Sequence, residues 1–262
     1  MVDFWYGFFL LGFGLALAAY LLALKLRLYA VVDTAWAGGL GLGALAYYLA
    51  ADPGTLRGAV ALAVMMFWSA RLTLHLLRDR LLRGQEDPRY AALAAHWGER
   101  AKFRFLFVFL AQIPLAGLFL FPYALAVDHV APAWRWMDSF GLLIALTALA
   151  GEMMADKQLA RFRASPHNAG KVCRQGLWHY SRHPNYFFEW LHWLCYVAFA
   201  MGAPLGWWAM LGPVMMYVFL RYVTGIPFAE RSSIRSRGEA YRDYQKTTNA
   251  FFPWRPQSDP HS

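Results

Sequence analysis

Long apolar blocks, each bounded by charged residues or by Pro and Gly, dominate this chain. A helix needs about 20 mostly apolar residues to cross the roughly 30 Å hydrocarbon core of a membrane. About seven blocks of that kind occur, roughly at residues 4–24, 30–51, 58–77, 105–127, 136–155, 186–201 and 204–220. Inside a bilayer, only helices pair every backbone group without closing a barrel. The blocks therefore predict an all-α integral membrane protein with about seven transmembrane helices.

The composition agrees with this class and excludes several others. Of the 262 residues, 59% are hydrophobic and 16% are charged, far from the balance of a soluble domain. Cys173 and Cys195 are the only cysteines, which excludes a disulfide scaffold. A removable signal peptide is not expected, because no basic residue precedes the first apolar block.

The basic residues predict which way the chain crosses the membrane. Arg57 and Arg135 are the only Lys or Arg residues on one face, and Arg71 lies inside the third block. The others occupy residues 25–27, 78–104, 157–182 and 221–255. The positive-inside rule then places the N-terminus outside and the C-terminus in the cytoplasm. Anionic lipid head groups account for the net charge of +9, so we expect membrane lipids and no nucleic acid as partners.

Several ionisable residues lie inside the apolar blocks or at their ends. Each costs about 2.5–3.5 kcal/mol to insert and usually faces a bundle interior or a wet cavity. By the predicted topology they lie toward the cytoplasmic side and could line one cavity; they are Asp33, Arg71, His75, Glu152, Asp156, Lys157, Glu189 and His192. The structural alternative is an ion pair between Asp33 and Arg71, with His75 and Lys157 reaching the head groups.

The densest polar cluster lies around Pro184. Proline disfavours helical geometry at the residue before it, so residues 181–183 are predicted to form an extended turn that feeds a helix starting near Asn185. Backbone N–H groups and the Arg182 guanidinium at a helix N-terminus suit a phosphate. Asn185 offers a donor and an acceptor, and Glu189 follows one turn later on the same face. The arrangement predicts a nucleotide cofactor.

Metal and hydrolase sites fit the same residues less well. His179 and His183 have i,i+4 spacing, but Pro184 prevents a common helical face, so no metal is expected. A Ser-His-Asp hydrolase lacks a nucleophile elbow here.

The stretch Gly176–Trp190, which reads GLWHYSRHPNYFFEW, resembles the C-terminal signature of the bacterial DUF1295 membrane proteins. That family is related to the steroid 5-alpha-reductases. Asp33 with Trp36, and Glu86-Asp-Pro-Arg-Tyr90, also look like the bacterial group. Further matching positions are Ala155-Asp-Lys-Gln158, Arg163, Thr224-Gly-Ile-Pro227, Glu230-Arg231, Tyr241 and Tyr244.

The resemblance implies a single membrane domain over residues 1–262, in which NADPH enters from the cytoplasm and reduces an activated carbon–carbon double bond. The substrate would be a steroid-like 3-oxo-4-ene or another unsaturated lipid, and the location a bacterial inner membrane. Residues 1–135 would form the substrate-side helices and 136–262 the cofactor-binding half. No obligate protein partner is expected.

The cofactor-binding candidates form one set of eleven residues. Seven match cofactor ligands of the steroid reductases, and they are Asp156, Arg163, Tyr180, Asn185, Glu189, Arg231 and Tyr244. Four more come from the same charged region and its matching positions, and they are Arg174, Arg182, His183 and Tyr241.

Reduction also needs a donor that stabilises charge on the substrate's carbonyl oxygen. Asp33 in its protonated form, His75 and Arg71 are the catalytic candidates. The main alternative function is an S-adenosylmethionine-dependent methyltransferase of the isoprenylcysteine carboxyl type, which shares an Arg-His-Pro-x-Tyr turn. Those enzymes usually carry a glycine and paired glutamates where this chain has Phe188 and Ala229-Glu230. A non-enzymatic lipid-binding protein is the third possibility.

Overall fold

The computed structural model describes residues 2–129 and 133–257, and within these ranges the chain is helical and contains no β-strand. The prediction of an all-α protein is confirmed. The α-helices in these ranges are α1 (Val2–Leu26), α2 (Val31–Ala51), α3 (Leu56–Leu76), α4 (Pro88–Trp97), α5 (Ala101–Val127), α6 (Trp136–Ala164), α7 (Leu177–Tyr180), α8 (Pro184–Ala200), α9 (Leu211–Val218), α10 (Ile226–Arg237) and α11 (Glu239–Thr247).

Several helices can cross a membrane, as a multi-pass membrane protein requires. Among the described residues, five stretches are long and apolar enough, namely Val2–Leu26, Leu56–Leu81, Pro88–Val127, Trp136–Ala164 and Gly206–Arg237. Helices also form at the second and sixth predicted blocks, as α2 and α8. However, α8 has only 17 residues, and four glycines lower the mean hydropathy of α2. The count of seven and the orientation therefore stay predictions.

The chain forms two compact units. The N-terminal unit comprises the residues up to Asp138 together with Tyr196–Gly212. The C-terminal unit comprises Ser139–Cys195 together with the chain from Pro213 onward. The predicted functional halves, 1–135 and 136–262, stay a prediction.

Glycines allow α2 to approach its neighbours closely in the N-terminal unit. Gly41 faces Ser69 of α3, whose hydroxyl donates to the carbonyl of Ala37 at 2.7 Å. A Cβ at Gly43 would lie 3.1 Å from the ring of Phe8 on α1. Small residues at such contacts let helices pack by backbone approach, as in many membrane proteins. These glycines of α2 therefore form helix contacts.

The two basic residues of the sparsely charged face share one carboxylate. Arg57 is 2% exposed, and its guanidinium donates to both oxygens of Asp138 at 2.8 and 3.0 Å. Arg135 also donates to Asp138, at 2.8 Å. Asp138 is fully buried, so these two cations compensate a charge that would otherwise be costly.

The seventh predicted block is not one α-helix. Residues Gly206–Met210 are 3₁₀-helical, α9 follows, and Phe219–Val223 are π-helical. The chain then passes Gly225, where a Cβ would lie 2.6 Å from the carbonyl oxygen of Leu220. Only glycine fits so close to the backbone, and α10 begins directly after it.

In the C-terminal unit, α6 continues past residue 155, the predicted end, to Ala164. The indole of Trp178 in α7 donates to the carbonyl of Ala155 at 2.9 Å. Phe188 of α8 packs on Gly151, where any side chain would overlap its ring. These contacts hold α7, α8 and the turn between them against α6.

Candidate cofactor site

The turn between α7 and α8 has the extended conformation that Pro184 predicts. Ser181 has φ −142° and ψ 145°, and α8 begins at Pro184. The Ser181 hydroxyl donates to the carbonyl of Phe251 at 2.9 Å and accepts from the N–H of His183 at 3.1 Å. The turn is therefore fixed from within and by the chain that follows α11.

Arg182 is committed to protein groups in this structure. Its Nε donates to Glu230 Oε1 at 2.7 Å, and its Nη1 donates to the carbonyls of Gln245 and Thr248. Its backbone N–H donates to the carbonyl of Asn249 at 2.8 Å. Both the charge and the backbone donor that a phosphate seat would need are thus engaged with α10, α11 and the segment after them.

Glu230 also receives the other polar groups of this region. His183 Nε2 lies 3.4 Å from Glu230 Oε1, and the Gln245 amide donates to Oε2 at 2.8 Å. Burial lowers the pKa of His183 below its usual 6.5, although Glu230 acts in the opposite direction. A neutral imidazole that donates to the Glu230 carboxylate fits this position.

The two C-terminal tyrosines of the predicted set are buried. The Tyr244 hydroxyl lies within hydrogen-bonding distance of the carbonyls of Trp178 and Ser181. Burial, with Glu230 nearby, raises the pKa of Tyr241 to about 12. Arg174 stacks 5.3 Å from the ring centre of Tyr244 and donates to a backbone carbonyl. These tyrosines hold α11 in place.

Asn185 and Asp156 lie together between α8 and α6. The Asn185 Nδ2 donates to Asp156 Oδ1 at 3.4 Å. The Oδ1 of Asn185 is buried and has no hydrogen-bond donor among the described residues. Glu189, one turn further along α8, is 8% exposed and accepts from the indole of Trp193 at 3.3 Å. This region holds an acceptor that the protein itself leaves open.

The remaining cofactor candidates are at the surface. Arg163, Arg231 and Tyr180 are exposed, and Arg231 lies 5.7 Å from the ring centre of Phe228. All eleven candidates belong to the C-terminal unit. The structure thus sorts them into a fixed turn, a partly buried polar cluster at Asn185 and a group of exposed side chains.

The catalytic candidates belong to the N-terminal unit. Asp33 accepts from Arg89 at 2.7 Å and from the Tyr90 hydroxyl at 2.6 Å, so its ionic partner comes from α4 rather than being Arg71. His75 faces Asp79 at 3.6 Å, and both side chains are 46% exposed. Arg71 is half-buried on α3.

Arg89 links Asp33 to a second buried carboxylate. Its Nε donates to Asp87 Oδ1 at 3.0 Å, and Arg80 lies 3.1 Å from Asp87 Oδ2. Burial opposes ionisation of Asp87, but the hydrogen bonds and charge of Arg89 outweigh it and hold the pKa below its usual 3.8. The described residues contain no group of three or more His, Cys, Asp or Glu side chains that could hold a metal ion.

Comparison with known protein families shows which family this chain belongs to. The sequence pattern of the family described as "Protein of unknown function (DUF1295)" matches residues 19–248. The chain belongs to the DUF1295 family. The matched region contains Asp33, the Asp156–Asn185 pair and the turn at Arg182, so both polar clusters are part of the DUF1295 region.

The chain is also similar to a protein of fission yeast. The chain is 26% identical over 254 residues to "Uncharacterized protein C594.04c" of Schizosaccharomyces pombe (strain 972 / ATCC 24843), and the match covers 87% of this chain and 71% of the relative. No solved structure matches.

Three partners in this DUF1295 chain were not among the predicted site residues. Glu230 binds the Arg182 turn, while Arg89 and Tyr90 bind Asp33. All three residues lie in the matching segments Glu230-Arg231 and Glu86-Asp-Pro-Arg-Tyr90. However, no spacing rule predicts that they contact residues some 50 positions away. Their roles depend on tertiary contacts between helices.

Proposed function

We propose that this DUF1295 protein is a membrane-embedded NADPH-dependent reductase. Its substrate is an activated carbon–carbon double bond in a steroid-like 3-oxo-4-ene or another unsaturated lipid. It crosses a bacterial inner membrane seven times, with its N-terminus outside. The resemblance of its C-terminal sequence segments to those of the steroid reductases supports this proposal. The location of all eleven cofactor candidates in one unit supports it as well.

The observation that carries the proposal is the buried Oδ1 of Asn185. A buried polar atom without a partner costs about 1–3 kcal/mol, so such atoms favour a ligand that supplies the missing group. Asp156 accepts the Asn185 Nδ2, which fixes the amide so that Oδ1 is the open acceptor. A carboxamide or an amino group on a heterocycle brings the N–H donor that this oxygen lacks.

The charges of the C-terminal unit also fit a dinucleotide. Arg163 and Arg231 are exposed, and guanidinium groups bind phosphate oxygens with two parallel hydrogen bonds. We assign the carboxamide of the nicotinamide to Asn185 and the phosphates to these arginines. When bound, the nicotinamide supplies a hydride.

Reduction of a double bond also consumes a proton. The Tyr90 hydroxyl, which lies 2.6 Å from Asp33, is the group we assign to this step. Arg89 forms an ion pair with Asp33 at 2.7 Å. Tyr90 donates the hydrogen bond to Asp33, so its hydroxyl holds the proton of this pair. His75 remains the other candidate for the proton, and Arg71 remains a candidate donor to the substrate's carbonyl oxygen.

The test is cofactor binding by the full-length protein in detergent. NADPH fluorescence should shift on binding, and Asn185→Ala should weaken the affinity about tenfold. Asn249→Ala is the matched control, because the Asn249 side chain is exposed and only its backbone carbonyl is used. Binding of S-adenosylmethionine in preference to NADPH would instead establish the methyltransferase. Binding of neither ligand would favour a non-enzymatic lipid-binding protein.

A further inference from the structure

The C-terminal end of α6 and the loop after it form an open pocket, and its lining includes none of the predicted site residues. Its volume is about 360 Å³. Ligand pockets span about 300–1,000 Å³, so this one holds a nucleoside-sized group and not a whole dinucleotide. We name it the α6 pocket, and its lining residues are Gln158, Arg161, Phe162, Asn168, Gln175 and Gly176.

Two amides in the α6 pocket are fixed by backbone contacts. Gln158 Oε1 accepts from the N–H of Leu177 at 2.9 Å, which leaves its Nε2 as a donor. Asn168 Nδ2 donates to the carbonyl of Phe162 at 2.9 Å, which leaves its Oδ1 as an acceptor. The pocket therefore offers one oriented donor and one oriented acceptor.

Gly176 makes room for the Gln158 amide. A Cβ at this position would lie 2.6 Å from the amide atoms of Gln158, and Gly176 has φ +58°. Both the space and the backbone conformation require glycine. The amide can therefore lie across the backbone and keep its donor in the pocket.

Arg161 lies one turn after Gln158 on α6 and is exposed. It makes no hydrogen bond or ion pair with any residue that the structure describes. Arg182, by contrast, donates to Glu230 and to backbone carbonyls. Among the arginines near the predicted cofactor site, Arg161 thus has its planar fork available for a phosphate.

The loop that closes the α6 pocket is positively charged. It carries Lys171 and Arg174, and Arg237 of α10 donates to the Lys171 carbonyl at 3.0 Å. Within the described residues, neither Arg174 nor Arg237 lies within ion-pair distance of a carboxylate. This concentration of positive charge attracts an anion to the mouth of the pocket.

We propose that the α6 pocket binds the adenosine end of the cofactor and that Arg161 binds its 2′-phosphate. This assignment rests on the proposed function. The Phe162 ring offers a surface for the purine, while Gln158 Nε2 and Asn168 Oδ1 match the acceptor and amino donor of the adenine edge. Arg161 then sets the preference for NADPH over NADH.

The experiment measures binding of adenosine 2′-monophosphate, with adenosine as reference, to the full-length protein in detergent by calorimetry. The nucleotide should bind at least about tenfold more tightly than adenosine. Arg161→Gln should abolish this difference, whereas Arg235→Gln should preserve it. Arg235 is also exposed, so its substitution removes the same charge elsewhere in the unit. Asn168→Ala should weaken both ligands equally, because it removes a contact to the base.

The outcomes separate this proposal from the reductase. The α6 pocket is overturned if adenosine 2′-monophosphate binds Arg161→Gln as tightly as it binds the unchanged protein. It is also overturned if the nucleotide does not bind the unchanged protein. An equal loss in Arg235→Gln also overturns it, because the effect would then be general electrostatics. If NADPH binds and its affinity is unchanged in Arg161→Gln, the pocket fails while the reductase stands. If adenosine 2′-monophosphate binds as expected but NADPH reduces neither steroid enones nor other activated unsaturated lipids, the pocket stands and the reductase fails.

Discussion

The Arg182 guanidinium lies 2.7 Å from Glu230 Oε1 and joins the turn before α8 to α10. The side chains are only 10% and 16% exposed, so the pair is partly shielded from water. Two backbone carbonyls accept from Nη1 of the same guanidinium. The arginine of the turn therefore has a structural role that a phosphate-binding role would have to displace.

Arg182→Ala should lower thermal stability more than it lowers NADPH affinity. The variant leaves Glu230 and two carbonyls without their donor, which costs on the order of 2–3 kcal/mol for a partly buried pair. The melting temperature in detergent measures the loss. Arg182→Lys should recover little of it, because one ammonium cannot reach all three acceptors. An unchanged melting temperature together with lost NADPH affinity would show that Arg182 contacts the cofactor instead.

The sequence was sufficient for the backbone of this region but not for its contacts. Pro184 alone predicts the extended turn and the start of α8, because its ring restricts the preceding residue. Glu230 lies 48 positions from Arg182, and no local rule predicts that they meet. The same limit applies to Asp33, which binds Arg89 and Tyr90 on a helix that the apolar pattern did not predict.

Tyr90→Phe should reduce turnover while preserving cofactor binding. Loss of a positioned proton donor lowers rates by about 10²–10⁴-fold. NADPH affinity should stay within about twofold, because the Tyr90 hydroxyl is not among the groups assigned to the cofactor. Steady-state oxidation of NADPH with a 3-oxo-4-ene steroid measures the turnover, and fluorescence titration measures the NADPH affinity.

Tyr20→Phe is the matched control for this variant. It also removes a phenolic hydroxyl from the N-terminal unit, but that hydroxyl only donates to the carbonyl of Lys102 at 3.0 Å. Its turnover should equal that of the unchanged protein. Equal turnover in Tyr90→Phe would eliminate Tyr90 as the proton source and leave His75.

Acid should destabilise the protein through His183 as the pH falls below about 6.5. Burial lowers the pKa of this imidazole, and Arg182 and Arg221 add to the effect, while Glu230 opposes it. Because the pKa is lower in the folded protein, the unfolded chain binds the proton first as the pH falls. The stability that the neutral imidazole contributes is therefore present above pH 6.5 and is lost as the pH falls through the pKa of the folded protein.

The measurement compares melting temperatures of the unchanged protein and His183→Gln across this range. The variant should lose less stability on acidification. Burial, Arg135 and Arg57 also lower the pKa of His129, so a second variant, His129→Gln, should reduce the slope independently. Parallel curves for the unchanged protein and His183→Gln would refute the role of His183.

The count of seven crossings requires that α2 crosses the membrane. Lys25 and Leu56 are exposed residues near its two ends, at the end of α1 and the start of α3. In a background without Cys173 and Cys195, Leu56→Cys should react with a membrane-impermeant thiol reagent added from outside. Lys25→Cys should react only after the membrane is opened, because the positive-inside rule places it in the cytoplasm. Labelling of both from the same side would mean that α2 does not span, and the reverse pattern would invert the predicted orientation.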